Sequence, residues 1–238
     1  MSDKSPIEWT DATWNPVTGC TKISTGCKNC YAERLAHRLQ LMGAKNYERG
    51  FDVTLHPQML DRPLSWKKPR RIFVNSMSDL FHLEIPDLYI DWVFDTMRRS
   101  PHHTFQVLTK RASRLLSYRP PMNDWPENVW MGVSIENREV VSRVADLRAC
   151  GARVKFLSIE PLLGHVADAL DLDGISWVIA GGESGPGARP LDPAWIRDVR
   201  DVCIRRSVPF FFKQWGGRRK SEHGRILDGR TWDEMPSP

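Results

Sequence analysis

Apolar residues along the chain gather in short, almost unbroken runs, and polar stretches with helical spacing separate them. The runs are RIFVNS (71–76), TFQVLT (104–109), VWMGVSI (129–135), VKFLSI (154–159), SWVIAG (176–181) and VPFFFK (208–213). Continuous Val, Ile and Phe, rather than strict alternation, is the pattern of parallel strands covered on both faces. Between the runs, Leu88, Trp92, Val93 and Met97 follow Pro86, and Val140, Val141, Val144 and Leu147 precede Gly151. A third stripe, Trp195, Ile196, Val199, Val202 and Cys203, follows Pro193. Pro near the first turn and Gly past the last mark helix ends. The alternation predicts an α/β chain of βα units around a parallel sheet: a partial or full parallel (β/α) barrel, with an open doubly wound sheet as the other topology.

The barrel pattern occupies residues 1–216. Residues 43–70 break the rhythm with VTLHPQML and the start of a basic run, Lys67, Lys68, Pro69, Arg70 and Arg71, and read as an insertion or lid. Residues 217–238 read as an irregular C-terminal tail over the barrel rim. Parallel α/β folds carry their chemistry at the C-terminal ends of the strands. Polar residues collect there: Asn75, Ser76, Ser78 and Asp79 after the first run, then Thr109, Lys110 and Arg111. Ser134, Glu136 and Asn137 come next, then Ser158 and Glu160, then Gly182, Glu183 and Ser184, then Lys213 and Gln214.

Composition narrows the classes. The 238 residues suffice for one substantial core, and 34 Lys and Arg against 29 Asp and Glu give a net +5 and a pI near 9.0. That balance suits a polyanionic partner. No apolar run approaches the ~20 residues of a membrane span, and the N-terminus has no apolar signal core, so a cytoplasmic location and no membrane partner are expected. Five cysteines, an odd count, in a chain without an export signal point to a reducing compartment. Clustered thiols there are metal ligands or catalytic groups more often than disulfide partners. Cys150 and Cys203 sit on apolar helical faces and read as core.

The other three, Cys20, Cys27 and Cys30, are spaced C-x6-C-x2-C within NPVTGCTKISTGCKNCYAER. Thiolates are soft ligands that suit zinc and iron–sulfur clusters. A structural zinc takes four ligands, which His37 would complete as Cys3His. Without it, three thiolates leave one iron of a [4Fe–4S] cube open to S-adenosylmethionine, whose sulfonium an electron can then split. Elsewhere, Glu160 reads as an acid–base or amine-binding group, with a structural carboxylate as the alternative, and Glu183 and Arg189 in GGESGPGARP read as substrate contacts, with a loop turning toward the next helix as the alternative. Lys110, Arg111, Arg218 and Arg219, with Lys220, Trp130 and Trp215 nearby, form a basic and aromatic set suited to phosphates and a stacked base.

NPVTGC…GCKNCYAER resembles the cluster loop of radical S-adenosylmethionine enzymes, especially the branch near the spore photoproduct lyases. SMSDLFHLEIP (76–86) resembles the segment after that branch's second strand, and TFQVLTKRASRLL, VWMGVSIEN and SIEPLLG resemble its third to fifth strands. The likeness spans residues 7–216 and is greatest to a phage and bacterial group of three-cysteine-motif proteins. The usual spacing is C-x3-C-x2-C, so the first gap is three residues longer here.

The resemblance implies a [4Fe–4S] cluster on Cys20, Cys27 and Cys30, with S-adenosylmethionine as co-substrate. The family's Gly-Gly-Glu position reads Asn75-Ser76-Met77-Ser78-Asp79 here. Ser76, Ser78 and Asp79 would therefore meet the amine of S-adenosylmethionine. Ser134 would lie by the ribose and Tyr31 by the adenine, with Asn137 a further cofactor contact. The implied activity is that of an isomerase or lyase modifying a nucleobase in DNA, for example an isomerisation in phage thymidine hypermodification, with an external reductant of flavodoxin or ferredoxin type. Two rivals stay open: a radical enzyme acting on a small molecule or peptide, and a zinc-stabilised nucleic-acid-binding module.

Overall fold

The structure is a computed structural model and describes residues 5–121, 124–219 and 222–236. Nine strands occur in it: β1 (Ala12–Trp14), β2 (Val17–Thr18), β3 (Thr54–Leu55), β4 (Arg71–Val74), β5 (Thr104–Thr109), β6 (Val129–Ser134), β7 (Val154–Ile159), β8 (Trp177–Gly181) and β9 (Phe210–Gln214). The α-helices are α1 (Tyr31–Leu41), α2 (Asp87–Arg98), α3 (Ala112–Ser117), α4 (Arg143–Ala149) and α5 (Pro193–Arg205). The chain is α/β. Its seven-stranded parallel sheet runs β1-β4-β5-β6-β7-β8-β9, so the strands follow chain order as in a partial (β/α) barrel. The six apolar runs read from the sequence are β4 to β9.

Two compact units make up the chain: Met1–Lys22, Cys30–Met131 and Cys150–Val154 form one; Ile23–Asn29, Gly132–Ala149 and Lys155–Pro238 form the other. In the first, β1 pairs with β4 and β4 with β5 in parallel. Trp14, Ile72, Phe105, Ile90 and Phe94 are fully buried there. The face that α2 buries is Tyr89, Ile90, Val93, Phe94 and Met97. Leu88 and Trp92, which the sequence pattern assigns to that face, are exposed.

Residues 43–70 do not stand apart from this unit. β3 pairs antiparallel with β2, His56 Nε2 meets the Thr18 hydroxyl at 2.8 Å, and Trp14 donates its indole N–H to the Met59 carbonyl at 2.7 Å. The segment braces the chain leading out of β1.

In the second unit β7, β8 and β9 pair in parallel, and α5 buries Ile196, Val199, Val202 and Cys203. Asp192 caps α5 by accepting the Ala194 N–H at 2.8 Å, and Pro193 opens the first turn, where its missing donor costs nothing. The C-terminal residues are irregular, yet they are packed. Leu227 and Trp232 are buried, Phe212 donates its N–H to the Trp232 carbonyl, and Phe211 bridges antiparallel to Asp233. Lys220 lies outside the described residues.

Candidate functional site

The chain leaves β1 into the cysteine loop, and the first unit fixes the loop's two ends. Asn15 Oδ1 accepts the Ser76 hydroxyl and the Met77 N–H, both at 3.2 Å. Ser78 donates its hydroxyl to the Val17 carbonyl at 2.9 Å. Gly19 has φ +83°, and a Cβ there would lie 2.1 Å from the Asp52 carbonyl oxygen, so only glycine fits. Its neighbour Cys20 donates its N–H to the Phe51 carbonyl at 3.1 Å. Segment 43–70 thus sets the backbone of the first thiol. At the far end Cys30 precedes α1, and the Tyr31 hydroxyl donates to the Ser76 carbonyl at 2.5 Å.

Arg111, after β5, reaches Cys20 itself. Its Nη1 donates to Cys20 Sγ at 3.4 Å and to Asp79 Oδ2 at 3.0 Å. Its Nη2 donates to the Thr21 carbonyl at 3.0 Å and hydroxyl at 3.1 Å. Only 8% of the Arg111 side chain is exposed. Burial works against its charge, but Asp79 and then Cys20 outweigh burial and hold its pKa above the ordinary value. Asp79 also accepts from the Phe81 N–H at 3.0 Å, the Thr109 hydroxyl at 2.7 Å and the Lys110 N–H at 3.0 Å.

A carboxylate has about four acceptor positions, and all are taken. Asp79, read from the sequence as a cofactor contact, therefore supports Arg111. Arg111, read as a phosphate contact, is turned inward. His82 completes the cluster: its Nδ1 accepts the Glu84 N–H, so Nε2 carries the proton toward the Thr21 hydroxyl at 2.7 Å. Burial first, and Arg111 second, push His82 below its usual pKa and keep it neutral.

Segment 23–29, with Cys27, is held by the second unit. Ser24 donates its hydroxyl to Glu136 Oε1 at 2.9 Å. Glu136 has no exposed surface, and its other oxygen accepts Arg143 Nη1 at 3.0 Å, which also donates to the Ser134 carbonyl at 2.7 Å. Gly26 lies against this carboxylate so closely that a Cβ would sit 2.3 Å from Glu136 Cγ. Asn137 caps the Glu139 N–H and donates to the Thr25 hydroxyl at 3.4 Å. Asn29 donates to Glu183 Oε2 at 3.0 Å and to the Gly187 carbonyl at 2.8 Å.

Arg189 forks onto Glu183, with Nη2 to Oε1 at 2.6 Å and Nε to Oε2 at 2.9 Å, and its Nη1 donates to the Thr25 carbonyl at 3.0 Å. Burial would raise the Glu183 pKa, but the hydrogen bonds from Arg189 and Asn29 prevail and lower it. An ionised, forked carboxylate 6% exposed is a poor proton shuttle. Glu183, read from the sequence as a substrate contact, acts here as an anchor.

Glu160 is different. Its Oε2 lies 2.6 Å from Lys213 Nζ, and its Oε1 accepts the Ser158 hydroxyl at 3.3 Å. Both charged side chains keep some exposure, 12% for Glu160 and 21% for Lys213. Arg218 and Arg219 are exposed. Beside them a cavity of about 590 Å³ is lined by Arg189, Leu191, Arg197, Trp215 and His223 among others. Lys110 is half-buried and Ser134 buried.

None of the five thiols forms a disulfide; Cys20, Cys27 and Cys30 are partly exposed and Cys150 and Cys203 are buried. Burial, with Glu234 second, pushes the Cys203 thiol up to about 12, which leaves it inert. Among the described residues no three His, Cys, Asp or Glu side chains converge as they would around one metal ion, and His37 is exposed. The donor set is soft and lacks a fourth thiol on the loop, which fits a cube with one open iron. Among the residues that sequence reasoning missed are Asn15, Gly26, Asn29 and Arg143. Gly26 and Asn29 stand in GCKNC, immediately before Cys27 and Cys30, which was the available signal.

Residues 4–236 match the family described as "Protein of unknown function (DUF5131)". The chain belongs to that family. No curated protein matches this DUF5131 chain. Among solved structures, spore photoproduct lyase complexed with dinucleoside spore photoproduct matches at 14% identity and TM-score 0.42, with 79% of this chain and 59% of that one covered. A cysteine-to-alanine mutant of spore photoproduct lyase matches at 12% identity and TM-score 0.47, over 84% and 75%. A further mutant, with bound AdoMet and dinucleoside spore photoproduct, matches at 14% and 0.41, over 81% and 61%. The chain spans about three fifths of the first of these. No helix among the described residues is long and apolar enough to cross a membrane.

Proposed function

We propose that the chain is a radical S-adenosylmethionine enzyme that modifies a nucleobase in DNA. The observation that carries this reading is one loop of three thiols without disulfides, whose residues are held by three acid–arginine pairs, Asp79–Arg111, Glu136–Arg143 and Glu183–Arg189. Cys20, Cys27 and Cys30 hold the [4Fe–4S] cluster. When bound, the cluster and S-adenosylmethionine supply the one-electron cleavage through which hydrogen is taken from an unactivated carbon.

The chain's own residues bind and orient. Tyr31, Ser76 and Ser78 line the place for the adenine and amine, and Ser134 and Asn137 that for the ribose. Glu160, with Lys213 beside it, is the proton-holding pair available to the substrate. Arg218, Arg219 and Lys110 meet phosphates, and the Trp215 cavity offers a ring to a splayed base. An isomerisation of a thymine-type base, as in phage hypermodification, suits this set, with an external flavodoxin- or ferredoxin-type reductant in the cytoplasm.

Anaerobic reconstitution tests the proposal. Iron, sulfide and a brown chromophore should appear. S-adenosylmethionine should yield 5′-deoxyadenosine, and modified DNA a shifted nucleoside. A colourless protein holding one zinc overturns it. DNA binding should weaken steeply with salt; cofactor cleavage without any salt-sensitive DNA binding would move the substrate to a small molecule or peptide.

A further inference from the structure

We infer that Arg111 is a positioning residue that sets the reduction potential of the cluster, acting through the sulfur of Cys20; the inference rests on the radical reading above. The guanidinium is buried, 3.4 Å from Cys20 Sγ, and fixed by three further bonds, with a fourth made by the residue's backbone. Among these its own backbone N–H donates to the Thr109 hydroxyl at 2.9 Å, and that hydroxyl in turn donates to Asp79. The donor is therefore aimed before any ligand arrives, and burial keeps its field from being screened.

A charge-assisted N–H···S bond strengthens as the sulfur gains negative charge. Adding one electron, from an external one-electron donor and with no proton moved, makes the cluster and its thiolates more negative. Arg111 accordingly favours the reduced state. Asp79 opposes it, but four donors spread that carboxylate's charge away from the sulfur. Cys20 is also the thiol displaced by the longer first gap, C-x6-C, so a side chain reaching it from β5 compensates for a loop that its own spacing no longer tightens.

The test is an EPR-monitored dithionite titration of the reconstituted wild type, Arg111→Met, Arg111→Lys and Asp79→Asn, with iron counted for each. Arg111→Met should lower the reduced fraction at a given potential about tenfold, which is 59 mV for one electron. Arg111→Lys, which keeps the charge but not the fork, should fall between. Asp79→Asn should move the other way. Mere loosening of the loop would shift Arg111→Met and Asp79→Asn in the same direction, so that result overturns the inference, as does an unchanged potential in Arg111→Met. If Arg111→Met takes up no iron, the opposite-signed shifts of Arg111→Lys and Asp79→Asn decide alone. A wild type that holds no cluster overturns the radical reading and this inference with it.

Discussion

Arg111 in the first unit and Arg143 and Arg189 in the second each face a buried carboxylate, but their remaining donors go to different places. Arg111 spends one nitrogen on a thiol sulfur and the other on Thr21. Arg143 orients Glu136, which then holds Ser24 and packs on Gly26. Arg189 holds the Thr25 carbonyl and fixes Glu183 for Asn29. In the first unit Arg111 holds the sulfur of Cys20; in the second, Glu136, Arg189 and Glu183 hold the Ser24 hydroxyl, the Thr25 carbonyl and the Asn29 amide. Damage in the first should therefore alter the electronics of the site, and damage in the second should alter whether the segment is in place at all.

The sharpest way to break that contrast is Glu136→Ala. It leaves the Arg143 charge buried and unpaired, for which about 3–5 kcal/mol of stability should be lost. Denaturant unfolding measures it. Replacing both partners, Glu136→Leu with Arg143→Met, should recover most of the loss, because the desolvation of two charges is then no longer incurred. If the single substitution costs no more than a surface change, Glu136 is not the anchor described.

Gly26→Ala comes next. Its methyl would meet Glu136 Cγ at 2.3 Å, and overpacking of this kind costs about 1–3 kcal/mol. The two sites touch, so the effects should not add. In a Glu136→Ala background the Gly26→Ala cost should shrink toward zero. Equal costs in both backgrounds would mean that Gly26 is needed for its backbone and not for the contact.

These two positions also show what the sequence conceals. The strands were legible because a buried parallel strand is apolar throughout: five of the six runs contain their strand, and the sixth stops one residue short, at Lys213. The stripe on α2 was half legible. Val93 and Met97 are buried as read, but Leu88 and Trp92 are exposed while Tyr89, Ile90 and Phe94 fill the core. A helix this rich in apolar residues supports more than one stripe at helical spacing, and only the neighbouring sheet selects among them. The clustering of the three thiols is visible in the spacing, and their role as ligands is the proposal made above. The strand-end acids were not legible, because Asp79, Glu183 and Glu160 look alike in sequence. Their roles diverge through donors far along the chain, Arg111 from 32 positions on and Asn29 from 154 away. A carboxylate with its acceptor positions filled and one left beside a lysine are the same letter.

Asn29→Ala should have a smaller effect. It removes a bond to a charged acceptor and one to the Gly187 carbonyl, about 1.5–3 kcal/mol for the first by the usual scale of charged hydrogen bonds and less where water can replace it. Hydrogen exchange of the 25–29 amides reports it directly: they should exchange faster in Asn29→Ala and stay as in wild type in Arg111→Met. Loosening in both variants would erase the distinction between the two units.

The least effect is expected from pH, and its sign is fixed by Glu183. Burial raises this carboxyl, but the side-chain bonds from Arg189 and Asn29 and the Arg189 backbone N–H lower it further than burial lifts it, so its folded pKa lies below the unfolded one. A group shifted in that direction adds stability that is fully present above the unfolded carboxyl value, about 4.3, and is lost as pH falls through the folded value. Glu183→Gln cannot titrate. The stability gap between wild type and Glu183→Gln should therefore be constant near neutrality, on the order of 1 kcal/mol as for a net hydrogen bond, and should close as the pH drops below about 4. Other acids titrate in the same range, but they are common to both proteins and cancel in the difference. A gap that stays open at low pH would mean that the Arg189 fork does not stabilise the ionised carboxylate, and the anchor in the second unit would then rest on Glu136 alone.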